Sequence, residues 1–159
     1  MSALLDVDIP GFARLQLKHL VLDFNGTLAV DGMLLPGVKE QLERLSGVLR
    51  LHVLTADTFG SARSALAGVP CEVSILEQER QDLAKQAYVE RLGAREVVCI
   101  GNGRNDRLML WSAALGIAVL GGEGAAAAAV TAADVVTAGI VDALDLLQHP
   151  RRLLASLRV

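Results

Sequence analysis

Three polar segments of the chain each follow a short apolar run, and a single lysine lies between the second and the third. The segments are DFNGT at 23–27, TAD at 55–57 and GNGRND at 101–106, and the lysine is Lys85. Carboxylate and amide oxygens bind hard divalent cations, while hydroxyl and ammonium groups bind phosphate oxygens. Together these residue types could bind a cation and an anionic group at one site.

The apolar runs alternate with stretches of helical spacing or composition. Six runs rich in Val, Ile or Leu predict strands at 19–24, 50–54, 72–75, 96–100, 116–120 and 134–136. The other stretches predict helices at 36–46, 58–66, 78–92, 106–114 and 123–129, with one more from 149 onward. This alternation predicts a doubly wound α/β fold, a three-layer α/β/α sandwich on a mainly parallel sheet. Ligands bind such sheets beyond the carboxyl ends of the strands, which is where the polar segments lie.

Two segments lie outside this alternation. Residues 27–35, TLAVDGMLL, place two apolar runs around Asp31-Gly32, which predicts a tight hairpin because glycine readily adopts a positive φ. A small flap is therefore expected directly after the first strand of the sheet. Residues 1–18, with Pro10-Gly11 among them, predict an N-terminal edge hairpin or strand. Since the chain shows no internal repeat or linker, we expect a single domain over 1–159.

Composition narrows the classes of function. With 15 Lys and Arg against 18 Asp and Glu, a net charge of -3 and 3% aromatic residues, nucleic-acid binding is not expected. The most apolar window, 113–130, is interrupted by GGEG at 121–124, so it predicts no membrane span. The N-terminus lacks the pattern of a signal peptide, and we expect a cytoplasmic protein. Cys71, Cys99 and Trp111 are expected to lie in the core.

The polar segments and the lysine, in this order and strand context, resemble the four motifs of the haloacid dehalogenase (HAD) superfamily of phosphotransferases. Those motifs are D-x-D-G-T, a Ser or Thr after a strand, a Lys, and G-D-x-x-x-D. The resemblance runs from the first strand of the sheet to the C-terminus. Its closest form is the phosphorylation domain of P-type ATPases, whose T-G-D and G-D-G-x-N-D motifs are similar to 55–57 and 101–106. The resemblance implies a HAD-like Rossmannoid sheet.

The length of the connecting segments indicates a member without a cap domain. Only the flap lies between the first motif and the following helix, and 58–84 is too short for an inserted cap. The chain also lacks the nucleotide-binding insert and the membrane helices of a P-type ATPase, so ATP-driven transport is not expected of it. The resemblance to capless members implies either a phosphorylated macromolecule as substrate or a homo-oligomer whose neighbours close the site, and a small phosphorylated substrate stays open.

The resemblance implies a role for each motif residue. Asp23 would attack a phosphoryl group and form an aspartyl-phosphate, and Mg²⁺ would be the cofactor. The implied catalytic residues are Asp23, Asn25, Thr55 and Lys85. The implied metal ligands are all oxygen donors: Asp23, the main-chain carbonyl of Asn25, Asn102 and Asp106. The implied substrate-binding residues surround the phosphoryl group: Asn25, Gly26, Thr27, Thr55, Ala56, Lys85 and Asn105.

Two asparagines depart from the family pattern. Asn25 occupies the position where the hydrolases of the family have an acid/base aspartate, and an amide can neither protonate a leaving group nor activate water. Loss of such a group costs about 100- to 10,000-fold in rate, so a slow hydrolase is expected. Asn102 replaces a carboxylate that binds magnesium, which lowers the expected metal affinity. Both asparagines precede glycine, a pair prone to deamidation.

Two further functions are weighed against the slow phosphatase. A catalytically weakened phosphate-binding or regulatory module, acting through a protein partner, is favoured by the two asparagines. A receiver-type signalling domain phosphorylated on Asp fits less well. Such domains have their acceptor on a central strand and an acidic pair on the first strand, and Asp23 has no such acidic pair beside it.

Several side chains keep two interpretations. Lys85 belongs either to the phosphate site or to a solvated helix face. Asp57 either caps the helix expected to begin near Thr58 or orients the site. Arg104 and Arg107 either contact a substrate anion or are ordinary exposed arginines.

Overall fold

A parallel sheet lies at the centre of the computed structural model, which describes residues 4–57 and 60–159. Within these residues the strands are β1 (Leu5–Ile9), β2 (Ala13–Leu17), β3 (His19–Asp23), β4 (Ala29–Val30), β5 (Met33–Leu34), β6 (Arg50–Thr55), β7 (Cys71–Ile75), β8 (Val97–Gly101), β9 (Leu115–Val119) and β10 (Val135–Thr137). The helices are α1 (Val38–Leu45), α2 (Ser61–Ala65), α3 (Gln81–Leu92), α4 (Arg107–Ser112), α5 (Ala127–Ala132), α6 (Ile140–Gln148) and α7 (Pro150–Leu157). Short 3₁₀ turns cover Ala94–Glu96 and Arg104–Asp106.

The six strands of the main sheet run in the order β10-β9-β8-β3-β6-β7, and every neighbouring pair is parallel. This confirms the predicted fold class and each of the six predicted strands to within one residue at either end. The strands could be predicted because helices cover both faces, so nearly every position of β3, β8 and β9 is buried. β3 lies between β6 and β8, and the carboxyl ends of these three strands are therefore adjacent.

The helix predictions are less accurate than the strand predictions. The helix expected at 123–129 begins only at Ala127, because Gly124 adopts a φ of 71° in a turn and the Ala126 N–H donates to the Asn102 carbonyl. Helix α6 was not predicted at all. Of the helix predicted at 58–66, residues 58 and 59 lie outside the described residues, and α2 begins at Ser61.

Two small hairpins flank the sheet. Strands β1 and β2 pair antiparallel, with Leu5 opposite Leu17. After β2, the Lys18 N–H donates to the carbonyl of Glu96, just before β8, and the Lys18 carbonyl accepts the N–H of Arg50, the first residue of β6. Strands β4 and β5 form the flap, whose turn residues Asp31 and Gly32 have φ values of 53° and 77°. Positive φ at both central residues is the geometry of a type I′ turn, the one that matches strand twist.

Apolar side chains pack against both faces of the sheet in two clusters. Cys99 is buried and Cys71 half-buried, but the prediction that Trp111 lies in the core is wrong, since its side chain is 75% exposed. The inward face of the short helix α4 is occupied by Met109 and Leu110. Within the described residues, no helix combines the length and apolar character that a membrane crossing requires.

Candidate active site

The three polar segments meet at a cleft of about 530 Å³ beyond the carboxyl ends of β3, β6 and β8. Asp23 is the last residue of β3, Thr55 the last of β6, and Asn102 directly follows β8. All three line the cleft together with Asn25, Ala56, Asp57, Ser61, Gln78, Gln81, Gly103, Asn105 and Glu123. The parallel register of three adjacent strands is what brings these residues together.

Lys85 lies behind Asp23 and bridges two buried carboxylates. Its ammonium donates to Asp23 Oδ1 at 2.9 Å and to Asp106 Oδ1 at 2.7 Å, and its side chain is 1% exposed. The interpretation of Lys85 as a solvated lysine is therefore wrong. A buried ammonium held between carboxylates is a positive charge that cannot move away from the site.

Two opposing influences set the pKa of Asp23. Burial and the neighbouring Asp106 raise it, while the Lys85 ammonium and the Thr27 hydroxyl lower it, and the balance leaves the pKa of Asp23 at about 7. Burial lowers the pKa of Lys85, but the two carboxylates outweigh burial and raise it overall. Without a further cation, the pocket therefore holds more negative charge than Lys85 compensates.

The Thr27 hydroxyl contacts both the second oxygen of Asp23 and the side chain of Asn102. The Thr27 hydroxyl lies 3.1 Å from Asp23 Oδ2 and 3.2 Å from Asn102 Oδ1, and the Asn102 amide nitrogen donates to the Gly124 carbonyl at 3.0 Å. With its nitrogen engaged in that bond, the Asn102 amide directs its oxygen to the Thr27 hydroxyl. Gly26, with a φ of 81°, makes room for this amide, because a Cβ on it would lie 2.7 Å from Asn102 Nδ2.

Asp106 positions the loop that follows β8. One of its oxygens contacts Lys85, and the other accepts the N–H groups of Asn102 at 3.1 Å and Gly103 at 2.9 Å. Asp106 is completely buried. Because both oxygens are engaged by protein groups, its direct role here is to orient Lys85 and the loop; that it also binds a metal ion stays a prediction.

Asn25 and Ala56 border the open side of the cleft, and the Asn25 side chain is exposed. The Thr55 hydroxyl accepts the Asp57 N–H at 3.1 Å, and the Asp57 carboxylate accepts the N–H and the hydroxyl of Ser61. Asp57 thus satisfies the first N–H of the described helix α2, which begins at Ser61, three residues after the start expected near Thr58.

Asn105 connects the cleft with helix α3. Its side chain accepts from Lys85 at 3.2 Å and donates to Gln81 at 3.2 Å. Sequence reasoning missed Gln78 and Gln81 as cleft residues, although they follow strand β7. Applying the strand-end rule to the apolar run at 72–75 would have identified the segment that contains both.

The donor atoms around Asp23 fit a magnesium ion of modest affinity. No group of three or more His, Cys, Asp and Glu side chains that could hold a metal occurs within residues 4–57 and 60–159. However, Mg²⁺ is commonly bound by one or two carboxylates, with water completing its shell. The Asp23 carboxylate and the Asn102 amide oxygen, both held next to the Thr27 hydroxyl, form such an oxygen-only set with a single anionic ligand.

Known proteins similar to this chain fall into two groups. Among curated sequences, an uncharacterized protein of Methanocaldococcus jannaschii is 47% identical over 82 residues, which is 49% of this chain and 88% of that protein. A second uncharacterized protein of the same organism is 46% identical over 39 residues, 24% of this chain and 89% of that protein. No protein-family model matches the sequence.

The similar solved structures share the fold at low sequence identity. A Legionella pneumophila protein described as a HAD superfamily (subfamily III A) hydrolase matches with a TM-score of 0.71 and 17% identity, over 89% of this chain and 87% of its own. The 3-deoxy-D-manno-octulosonate 8-phosphate phosphatase of Moraxella catarrhalis, in complex with magnesium, phosphate and KDO, matches with a TM-score of 0.67 and 16% identity. That match covers 87% of this chain and 90% of the phosphatase. The cobalt-bound form of the corresponding phosphatase of Haemophilus influenzae matches with a TM-score of 0.70 and 15% identity, over 86% of this chain and 90% of the phosphatase. The chain therefore has the HAD-like Rossmannoid fold.

Proposed function

We propose that this chain is a capless member of the HAD superfamily that hydrolyses phosphate esters or anhydrides slowly, with Asp23 as nucleophile and Mg²⁺ as cofactor. The observation that carries the proposal is the position of Asp23, at the end of the central strand and on the wall of an open cleft, with Lys85 and Thr27 on its two oxygens. Structures with the same fold are phosphatases by name, one of them in complex with magnesium and phosphate.

In the proposed reaction an Asp23 oxygen attacks phosphorus, the bond from phosphorus to the leaving oxygen breaks, and an aspartyl-phosphate forms. Water then attacks this phosphorus, which releases inorganic phosphate and restores the carboxylate. The Thr55 hydroxyl and the neighbouring main-chain N–H groups bind phosphoryl oxygens, and the Lys85 ammonium offsets part of the negative charge of the pocket. Asp23, Asn102 and the main-chain carbonyl of Asn25 would hold Mg²⁺, which would supply positive charge that offsets repulsion between carboxylate and phosphate.

The rate of this reaction is limited by Asn25. Its amide offers no proton to the leaving oxygen and removes none from water, so substrates with good leaving groups are favoured and the phosphoenzyme persists. A persistent phosphoenzyme is also the property that the resemblance to P-type phosphorylation domains implies. Because Asn25 is exposed, its exchange for aspartate does not bury a new charge.

The proposal is tested with purified protein, magnesium, and p-nitrophenyl phosphate or acetyl phosphate as substrate. Asp23→Asn is expected to abolish phosphate release, and Asn25→Asp to raise it about 100-fold or more. Asp8→Asn, which removes an exposed carboxylate from β1, serves as the matched control and should keep the wild-type rate. Phosphate release by Asp23→Asn at the wild-type rate contradicts the assignment of the nucleophile.

The second candidate function is a phosphate-binding or regulatory module that acts through a protein partner. It is favoured by the neutral Asn102 and by Asn25, which together leave the site with weak metal binding and no acid/base group. This function is supported instead if neither the wild type nor Asn25→Asp releases phosphate or forms an aspartyl-phosphate with either donor. A second copy of the chain that closes the open cleft is a compatible proposal, and the oligomeric state in solution tests it.

A further inference from the structure

A second pocket, of about 650 Å³, opens next to the nucleophile cleft and shares Gln78, Gln81, Gly103 and Asn105 with it. Its remaining lining residues are charged: Arg80, Asp82, Arg104 and Arg107. We call it the arginine pocket. Three arginines and one aspartate give it a formal charge of +2, whereas the whole chain carries -3. A concentration of positive charge beside the reaction site of an acidic protein attracts an anionic ligand.

Asp82 forms ion pairs with two of these arginines. Its carboxylate accepts Nε and Nη2 of Arg80 at 3.2 and 3.3 Å and Nη2 of Arg107 at 3.2 Å, while the Leu83 N–H donates to it at 2.9 Å. The Arg80 guanidinium and these contacts lower the pKa of Asp82 to about 2, so the Asp82 carboxylate is ionised at neutral pH. Guanidinium groups held in place in advance lose less conformational freedom when they bind a phosphate.

Arg104 and the backbone of Arg80 also favour an anion site in this pocket. The Arg104 side chain is exposed and has no hydrogen-bond or ion-pair partner among the described residues, which leaves its donors available. Arg80 adopts a φ of 53°, in the left-handed region that disfavours every residue with a Cβ. Backbone strain of this kind persists where the surrounding structure maintains it and is concentrated at ligand sites.

We propose that the arginine pocket binds a second phosphate of the substrate, so that the preferred substrates are small molecules that carry a further phosphate besides the one transferred to Asp23. The proposal rests on the proposed function for the location of the reacting phosphate. The shared wall of Gln81 and Asn105 contacts Lys85 through Asn105, which makes the two pockets parts of one continuous site. A substrate with two phosphates occupies both pockets at once, which raises its affinity over a substrate with one.

The test uses alkane bisphosphonates with spacers of increasing length, each against the monophosphonate of the same length, and isothermal titration calorimetry with magnesium present. The best bisphosphonate is expected to bind wild type about tenfold or more tightly than its matched monophosphonate, as expected for added hydrogen bonds to charged groups. Arg104→Gln combined with Arg107→Gln should bring this ratio close to one. Arg95→Gln, which removes an exposed arginine beyond the far end of α3, should keep the ratio of the wild type.

Three results overturn the proposal. In the first two, no bisphosphonate exceeds its matched monophosphonate, or the ratio survives the loss of both arginines. In the third, Arg95→Gln lowers the ratio as much as the double variant does, in which case general charge attraction explains the preference and the pocket is not a site. Because phosphonates are not hydrolysed, the ratio is measured whether or not the protein is a phosphatase. Failure of the proposed function therefore shows in phosphate release, and failure of this inference shows in the binding ratio.

Discussion

The ammonium of Lys85 lies 2.9 Å from Oδ1 of Asp23, although 62 positions separate the two residues in the chain. Lys85 is on α3 and Asp23 ends β3, so the contact joins the helical layer to the centre of the sheet. Breaking such a buried pair leaves a carboxylate in the protein interior without its counter-charge.

Replacement of Lys85 by methionine is expected to destabilise the protein by about 3 kcal/mol or more at pH 8, because Asp23 and Asp106 then repel each other without a cation between them. Urea unfolding without metal measures the effect. Lys39→Met, at an exposed position of α1, is the matched control and should change the unfolding free energy by less than about 0.5 kcal/mol. Equal stability of the two variants would show that Lys85 contributes nothing to the fold.

Alanine substitutions at Gly26 and Gly32 distinguish the effect of backbone strain from the effect of a clash with Asn102. Gly26 and Gly32 have φ values of 81° and 77°, but a Cβ at Gly26 meets Asn102 at 2.7 Å, whereas a Cβ at Gly32 meets no atom within 4 Å. Gly32→Ala is expected to cost about 1 kcal/mol from the left-handed backbone alone. Gly26→Ala should cost more and should weaken magnesium binding, since the alanine displaces the Asn102 amide. Unfolding and metal titration of both variants measure this, and indistinguishable variants would contradict it.

His52 makes the stability depend on pH. It is buried in β6, with Nε2 3.0 Å from His19 Nδ1 and Nδ1 2.8 Å from the Tyr88 hydroxyl. Burial, together with the neighbouring His19, lowers the pKa of His52 from 6.5 to about 4. Between these values the unfolded chain binds more protons than the folded one. The unfolding free energy attributable to His52 therefore falls as the pH falls from about 6.5 to about 4, by about 3 kcal/mol.

The measurement is urea unfolding between pH 4 and pH 7.5 for wild type and His52→Gln. The raised pKa of Asp23 makes its own contribution to stability increase as the pH falls, opposite to that of His52. The measured quantity is therefore the difference in unfolding free energy between the two proteins at each pH. The wild type should lose stability relative to His52→Gln as the pH is lowered. Parallel curves for His52→Gln would mean that His52 titrates equally in both states.

Deamidation at the two Asn-Gly pairs, 25–26 and 102–103, is expected to be slower in the folded protein than in the unfolded chain. The reaction requires the glycine nitrogen to attack the asparagine side chain. That nitrogen donates to the Ala29 carbonyl at 2.7 Å in the first pair and to Asp106 at 2.9 Å in the second. Peptide mass spectrometry after incubation with and without urea measures the conversion to aspartate. Equal rates in both conditions would contradict the protection.

The central sheet and the location of the site could be predicted because both depend on local patterns. A strand buried on both faces is a continuous apolar run, and the polar residues after Asp23, Leu54 and Ile100 necessarily lie at one edge once the strands are parallel. Helix ends were less predictable. The alanines at 125–129 suit a helix anywhere, and the hydrogen bond from Ala126 to the loop after β8 decides where α5 begins.

The sequence by itself determined the parallel sheet, the flap and the order of the motifs, since each is encoded by neighbouring residues. Only the tertiary structure decided that Lys85 is buried between two carboxylates, that Trp111 faces solvent, and that Asp82 pairs with one arginine before α3 and another on α4. The residue type determines the charge and the apolar area of a side chain. Which partner it contacts depends on packing between elements far apart in the chain, because burial and electrostatic attraction act on spatial neighbours and are independent of sequence distance.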